Sequence, residues 1–206
     1  MKHVFTSLLS LAMLAAAPLA SQASGFGSEG VKLGVAAPKS VKASDASFSK
    51  GDNAINLGIG FGNRYSYGIG SNTSVSPALS VYFEHGIMDL GPFVLAIGGF
   101  GGYQSATWEG SGYKDTFTDI IINVRGALHY SLSEKVDAYG GLGVGYRHLG
   151  YSSTYSGPYA FDYSVSGSSG VAAFAGIRYY FASALGVFAE AGYDQTFLKA
   201  GLSLKF

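Results

Sequence analysis

Apolar and polar residues alternate along most of the chain from Asp52 to Phe206. In the closing stretch, Leu198, Ala200, Leu202, Leu204 and Phe206 share one face, opposite Lys199, Gly201, Ser203 and Lys205. Period-two alternation is the mark of a β-strand whose two faces meet different surroundings. It predicts eight strands, over 53–62, 77–85, 92–104, 117–131, 136–148, 167–181, 185–194 and 196–206. The fourth shows the pattern plainly: Ile120, Ile122, Val124, Leu128 and Tyr130 alternate with Asp119, Asn123, Arg125 and His129. A last strand that runs to an aromatic, Phe206, leaves no loose tail, which suits a sheet closing on itself.

Alternation alone leaves open which face is outside. A soluble barrel has an apolar lumen and a polar coat, and a membrane barrel inverts this. Two features favour the membrane. If the first strand runs outward, Phe61, Tyr103, Tyr146 and Tyr193 fall at the outer rim, and Phe83, Phe93, Tyr130, Phe181 and Phe206 at the inner rim. Two aromatic girdles around an aliphatic band match the two interfaces of a bilayer. The links also alternate: 86–91, 132–135 and 182–184 are short, while 63–76, 105–116 and 149–166 are longer and rich in Gly, Ser and Tyr. Short inner turns and long outer loops are the outer-membrane arrangement, with the short outer link at 194–196 as an exception. The predicted fold is therefore all-β: a closed, eight-stranded, antiparallel up-and-down transmembrane β-barrel over 51–206, expected to be a monomer.

The start of the chain agrees with export. Lys2 and His3 precede an apolar run from Val4 to Leu19, and Ser21-Gln22-Ala23 offers small residues for cleavage. Residues 1–23 are expected to be a signal peptide, too short to span as a helix. Residues 24–50 carry Gly, Ser, Ala and Lys without a period and are expected to form a flexible periplasmic spacer.

Composition narrows the function classes. There are 31 Gly, 15 Tyr and 14 Phe but only 13% charged residues, which suits strands and interfaces rather than helices. No Cys is present, which excludes disulfides and thiolate metal sites. Without Lys2 the chain has 12 basic against 13 acidic residues, a balance unsuited to nucleic acid. No His spacing suggests zinc, and no helix follows the Gly-rich stretches to make a phosphate loop, so no cofactor is expected.

The opening 51–62, GDNAINLGIGFG, and the closing stretch from Phe188-Ala189-Glu190-Ala191-Gly192-Tyr193 to Phe206 resemble the bacterial outer-membrane β-barrel family, in its OmpA/OmpX-like eight-stranded group. The resemblance covers about 51–206. It implies location in the cell outer membrane, contact with outer-membrane lipid and lipopolysaccharide, and recognition by the barrel assembly machinery during biogenesis. The residues matching the C-terminal assembly signal are Tyr193, Leu204 and Phe206. Members with a peptidoglycan-binding domain continue beyond the barrel, whereas this sequence stops at Phe206, so peptidoglycan anchoring is not carried over.

Two regions could carry function. The lumen-facing positions include Glu84, Arg125, Arg178, Glu190 and Lys199. An eight-stranded barrel is nearly filled by side chains, and buried charges must pair. Arg125 and Arg178 are thus expected to meet Glu190 or Glu84. The network is either a structural plug or the constriction of a small porin-like channel for small solutes. The outer loops offer Tyr67, Trp108, Tyr113, Tyr155 and Tyr159, residue types that bind partners at low entropic cost. Their ligand, if extracellular, is not named by the sequence. Catalysis finds only a loose set at the outer rim, His148, Asp194 and Ser152, so the expectation is a non-catalytic protein with a structural or surface-interaction role.

Overall fold

A computed structural model of the chain describes residues 46–63, 73–110, 112–154 and 167–206. The signal peptide, spacer residues 24–45, Tyr67, Tyr155 and Tyr159 lie outside the described residues. The described strands are β1 (Asn53–Asn63), β2 (Thr73–Val75), β3 (Ala78–Leu90), β4 (Phe93–Gly110), β5 (Tyr113–Ser133), β6 (Val136–Ser153), β7 (Ser168–Tyr180), β8 (Leu185–Tyr193) and β9 (Thr196–Lys205). All pairings are antiparallel, and from β3 onward each strand pairs with the next, while β1 pairs with β3 and β2 with β4. β2 and β3 both pair with β4, Val75 opposite Ala106 and Leu79 opposite Tyr103. They are one stave, interrupted at Ser76–Pro77, where proline has no N–H to give the ladder. The barrel therefore has eight staves.

Its seam joins β1 to β9, from Ala54 opposite Lys205 to Asn63 opposite Thr196. Asn53 and Phe206 exchange two backbone hydrogen bonds of 2.9 Å at its inner end. Ladder bonds thus run around the whole ring, the condition for a sheet to cross hydrocarbon.

The faces are inverted relative to a soluble protein. Leu142 is 71% exposed and Val171 70%, while Arg125 is 1% and Arg178 0% exposed. Aliphatic residues dominate the outside, and the aromatic rims lie where the alternation places them: Phe61, Tyr103 and Tyr146 at one end, Phe83, Phe181 and Phe206 at the other, all exposed. Inside, glycine makes room for rings and charges. A Cβ on Gly141 would meet the backbone carbonyl of Gly126 and lie 2.8 Å from Phe174 Cζ.

Two features depart from the sequence reading. First, β4, β5 and β6 run 18, 21 and 18 residues, against 9 and 10 for β8 and β9. A spanning strand needs about 9–11 residues. The expected loop 105–116 is mostly ladder, with Trp108 opposite Asp115 and Gly110 opposite Tyr113, and β6 reaches Ser153. Two inner links shorten as well: β3 continues through an irregularity between Gly86 and Met88 to Leu90, leaving Gly91–Pro92 as the turn, and β5 runs on to Ser133. Second, residues before Gly51 pack into the barrel. Ser47 and Phe48, assigned to the spacer, are fully buried at the inner end of the barrel. Phe48 packs with Ala54, Ala96 and Val94.

Candidate functional site

The alternation that puts aliphatic residues outward turns every second residue into the lumen, and there the charges gather in clusters. The outer-side cluster joins β5, β8 and β9. Arg125 Nη1 donates to Glu190 Oε1 and Oε2 at 3.2 and 3.3 Å, and its Nη2 donates to Asp194. Lys199 Nζ lies 2.9 Å from Glu190 Oε1 and 2.6 Å from Asp194 Oδ2. Tyr139 donates its hydroxyl to Glu190 Oε2 at 3.2 Å. Two cations thus meet two carboxylates. The Arg125 guanidinium also lies 4.0 Å from the ring centre of Phe100 and 4.4 Å from that of Phe174. Such stacking suits the weakly hydrated guanidinium in a buried site.

The inner-side cluster joins β3, β5, β6 and β7. Arg178 Nη2 donates to Glu84, and its Nη1 to Asp137 Oδ2 at 3.3 Å and to the Tyr180 hydroxyl at 3.2 Å. The His129 ring sits between the same carboxylates, Nδ1 2.9 Å from Asp137 and Nε2 3.3 Å from Glu84. Arg147 and Asp119 form a further pair, 2.7 and 3.1 Å, nearer the outer end. Each buried carboxylate in these clusters faces a cation, which is what lets charge persist away from water.

The five lumen residues singled out by the alternation all lie in these clusters, and Arg125 meets Glu190 as Arg178 meets Glu84. His129, Asp137 and Asp194 were missing from that set. A signal for two of them was present: His129 stands four residues after Arg125, and Asp137 two before Tyr139, on the same strand faces. Asp194 lies in the short outer turn with Gln195. Both are buried, so that turn folds over the lumen instead of standing away from it.

Trp108 and Tyr113, expected in a loop, are on β4 and β5 near their outer tip, their ring centres 5.1 Å apart. Below them Phe117 meets Tyr151 at 5.0 Å, and the Tyr151 hydroxyl donates to Asp115 at 3.0 Å. These residues occupy strand positions that face the lumen lower down. The outward positions at this height are Ser105, Thr107, Lys114, Thr116 and Ser152 rather than aliphatic residues. The change from aliphatic to hydroxyl and charged side chains marks where β4–β6 leave lipid for water.

The other predicted positions separate. His148 is an exposed residue opposite Ile120, whereas Asp194 is buried in the lumen against Arg125 and Lys199, so the two do not share a site. Tyr193 lies against Phe197, ring centres 6.5 Å apart, and Leu204 and Phe206 are exposed on the outer surface. No group of His, Asp and Glu among the described residues has the arrangement of a metal site.

No protein-family model and no curated protein matches the chain. Solved structures do. Ail, the attachment invasion locus protein of Yersinia pestis, crystallised with the heparin analogue sucrose octasulfate, is 14% identical over 76% of this chain and 99% of its own, with a TM-score of 0.48. Its backbone structure in a phospholipid bilayer nanodisc gives 14%, 76%, 100% and 0.43. OprG from Pseudomonas aeruginosa gives 13%, 76%, 96% and 0.45. At such values these similarities bear on no ligand or activity of this chain. Its own architecture is more telling. A ladder without an open seam, charged within and aliphatic without, is suited to one solvent: the protein is an eight-stranded β-barrel of the outer membrane.

Proposed function

We propose that the protein is a non-catalytic outer-membrane barrel whose lumen is a structural plug and whose outer tip contacts other molecules at the cell surface. The observation that carries this reading is the charge-paired lumen. Arg125, Arg178, Glu84, Glu190 and His129 are all buried to 2% exposure or less and paired with one another or with Asp137, Asp194 and Lys199. A permeant ion would have to displace pairs whose partners have no alternative solvation. With the lumen occupied, the tip of β4–β6 is a region among the described residues with binding chemistry: exposed Trp108 and half-buried Tyr113, Phe117 and Tyr151 offer aromatic faces beside Asp115. The surrounding lipopolysaccharide is the nearest partner for such a tip. In biogenesis, Tyr193, Leu204 and Phe206 suit recognition by the assembly machinery, since the last two stay exposed along the seam.

Single-channel recording in planar bilayers tests this. The folded wild type is expected to be silent. Stable conductance steps that change size in Arg125→Ala or Glu190→Ala would overturn the plug and make the protein a small porin-like channel.

A further inference from the structure

We propose that Ser47–Lys50 form a detachable stopper at the inner mouth, controlling access from the inner aqueous side to the Glu84–His129–Asp137–Arg178 cluster. The segment is not part of the ladder. The ring closes from Asn53 onward, where Asn53 and Phe206 bond to each other, and no residue before Asn53 belongs to a strand among the described residues. It is nevertheless buried, with Ser47 and Phe48 at 0% exposure. The stopper reaches across the mouth from β1 to β5.

Its attachments are side-chain bonds to β5 and β9 and a turn at 49–52, in which the Asp52 amide donates to the Ser49 carbonyl at 3.1 Å. Ser47 bonds Ser131 Oγ through both its amide, at 3.1 Å, and its hydroxyl, at 3.0 Å. Lys205 Nζ donates to the Ser47 carbonyl at 2.8 Å. The Ser49 amide donates to Asp52 Oδ2 at 2.9 Å. The single ring, Phe48, stacks on His129 with centroids 4.3 Å apart.

Two features make withdrawal physically reasonable. The ions beneath Phe48 are already paired with each other, so removing the ring leaves none without a partner and brings them water in its place. Gly51 and Asp52 are held to β3, the Gly51 amide donating to the Gly86 carbonyl at 2.8 Å and the Gly86 amide to the Asp52 carbonyl at 3.0 Å, so the segment turns out about Lys50–Gly51, where Gly51 stands at φ +92° with no atom within 4 Å of where a Cβ would stand. The strands, by contrast, are held by ladders on both sides and open only with the whole barrel.

The test uses the full chain in lipid nanodiscs and the variant pair S47C/S131C. The two hydroxyls lie 3.0 Å apart and the sequence has no other cysteine, so one disulfide can lock the stopper. Two readouts are taken in the oxidised and reduced states: amide hydrogen exchange at 47–49, and carbethoxylation of His129 located by mass spectrometry. Reduction is expected to speed both at least tenfold while leaving exchange in β1 and β9 unchanged. Phe48→Ala, if it folds, is expected to match the reduced state. Equal rates in the oxidised and reduced pair, or wild-type exchange at 47–49 as slow as in β1, would overturn the proposal and make the segment a fixed part of the barrel. Failure of the pair to cross-link would overturn it as well.

Discussion

Arg125 on β5 reaches across the lumen to Glu190 on β8 and bonds both of its carboxylate oxygens, at 3.2 and 3.3 Å. The two residues are 65 positions apart in the chain, and both are out of reach of water. A barrel that holds such a pair gains little from it if the whole pair is compared with an apolar one. It loses much when one partner goes, because the other stays buried and charged.

That asymmetry makes the first prediction. Glu190→Ala strips acceptors from Arg125, Lys199 and Tyr139 together. It should lower unfolding stability by about 3–5 kcal/mol in urea titrations of protein folded into vesicles. The double variant Arg125→Met, Glu190→Leu should recover most of this, because Lys199 and Asp194 remain paired at 2.6 Å. An additive double variant would mean the pair is not a unit.

The second concerns the solvent. Leu142 lies midway between Ala138 and Tyr146 on the outward face and is 71% exposed. In a soluble barrel Leu142→Arg would be harmless. At the middle of a bilayer it should cost about 2–4 kcal/mol. Thr107→Arg, on the outward face of β4 above the rim, should cost under about 1 kcal/mol. Equal effects in the same vesicle titration would contradict the assigned membrane level.

Trp108 supplies the third, since it is the one tryptophan of the sequence. It follows Tyr103 of the outer rim by five residues, roughly 16 Å along the strand. It is 41% exposed. Its fluorescence should be quenched by aqueous iodide and hardly at all by lipids brominated on their acyl chains. The reverse would place the tip of β4–β6 in the membrane.

The fourth separates two glycines, one on β6 and one on β4. Gly141 faces inward, where a Cβ meets the Gly126 carbonyl and the Phe174 ring. Gly141→Ala should destabilise by about 1–3 kcal/mol through overpacking. Gly99 faces outward, and its nearest neighbour to an added Cβ, the Asn123 carbonyl oxygen, is 4.0 Å away. Gly99→Ala should be neutral or slightly stabilising, because alanine gives up less chain entropy on folding. Thermal unfolding followed by the mobility shift of heated and unheated samples would show both.

The barrel was legible in one dimension because its information is local. Strands, facing and rims are written in a period of two, and the bilayer demands that period from every stave. Even membership of the lumen follows from it, as Glu84, Arg125, Arg178, Glu190 and Lys199 show. The height of β4–β6 was less legible. Residues 105–116 are rich in Gly, Ser and Thr and read as a loop, but across a hairpin they pair as far as Gly110 and Tyr113, and cross-strand hydrogen bonds override weak strand preference.

The chain alone thus sorts residues onto two faces, since each follows from its neighbours two positions away, and its aromatic rims and link lengths say which face meets lipid. Which lumen charges meet is another matter. Arg125 could face either Glu84 or Glu190 by alternation. Only the registers between staves, accumulated around a closed ring, bring it to Glu190 and Asp194 and leave Glu84 to Arg178 and His129. Phe48 is the extreme case. Nothing in its neighbourhood repeats, and its burial exists only because β1, β4, β5 and β9 together build a mouth for it to fill.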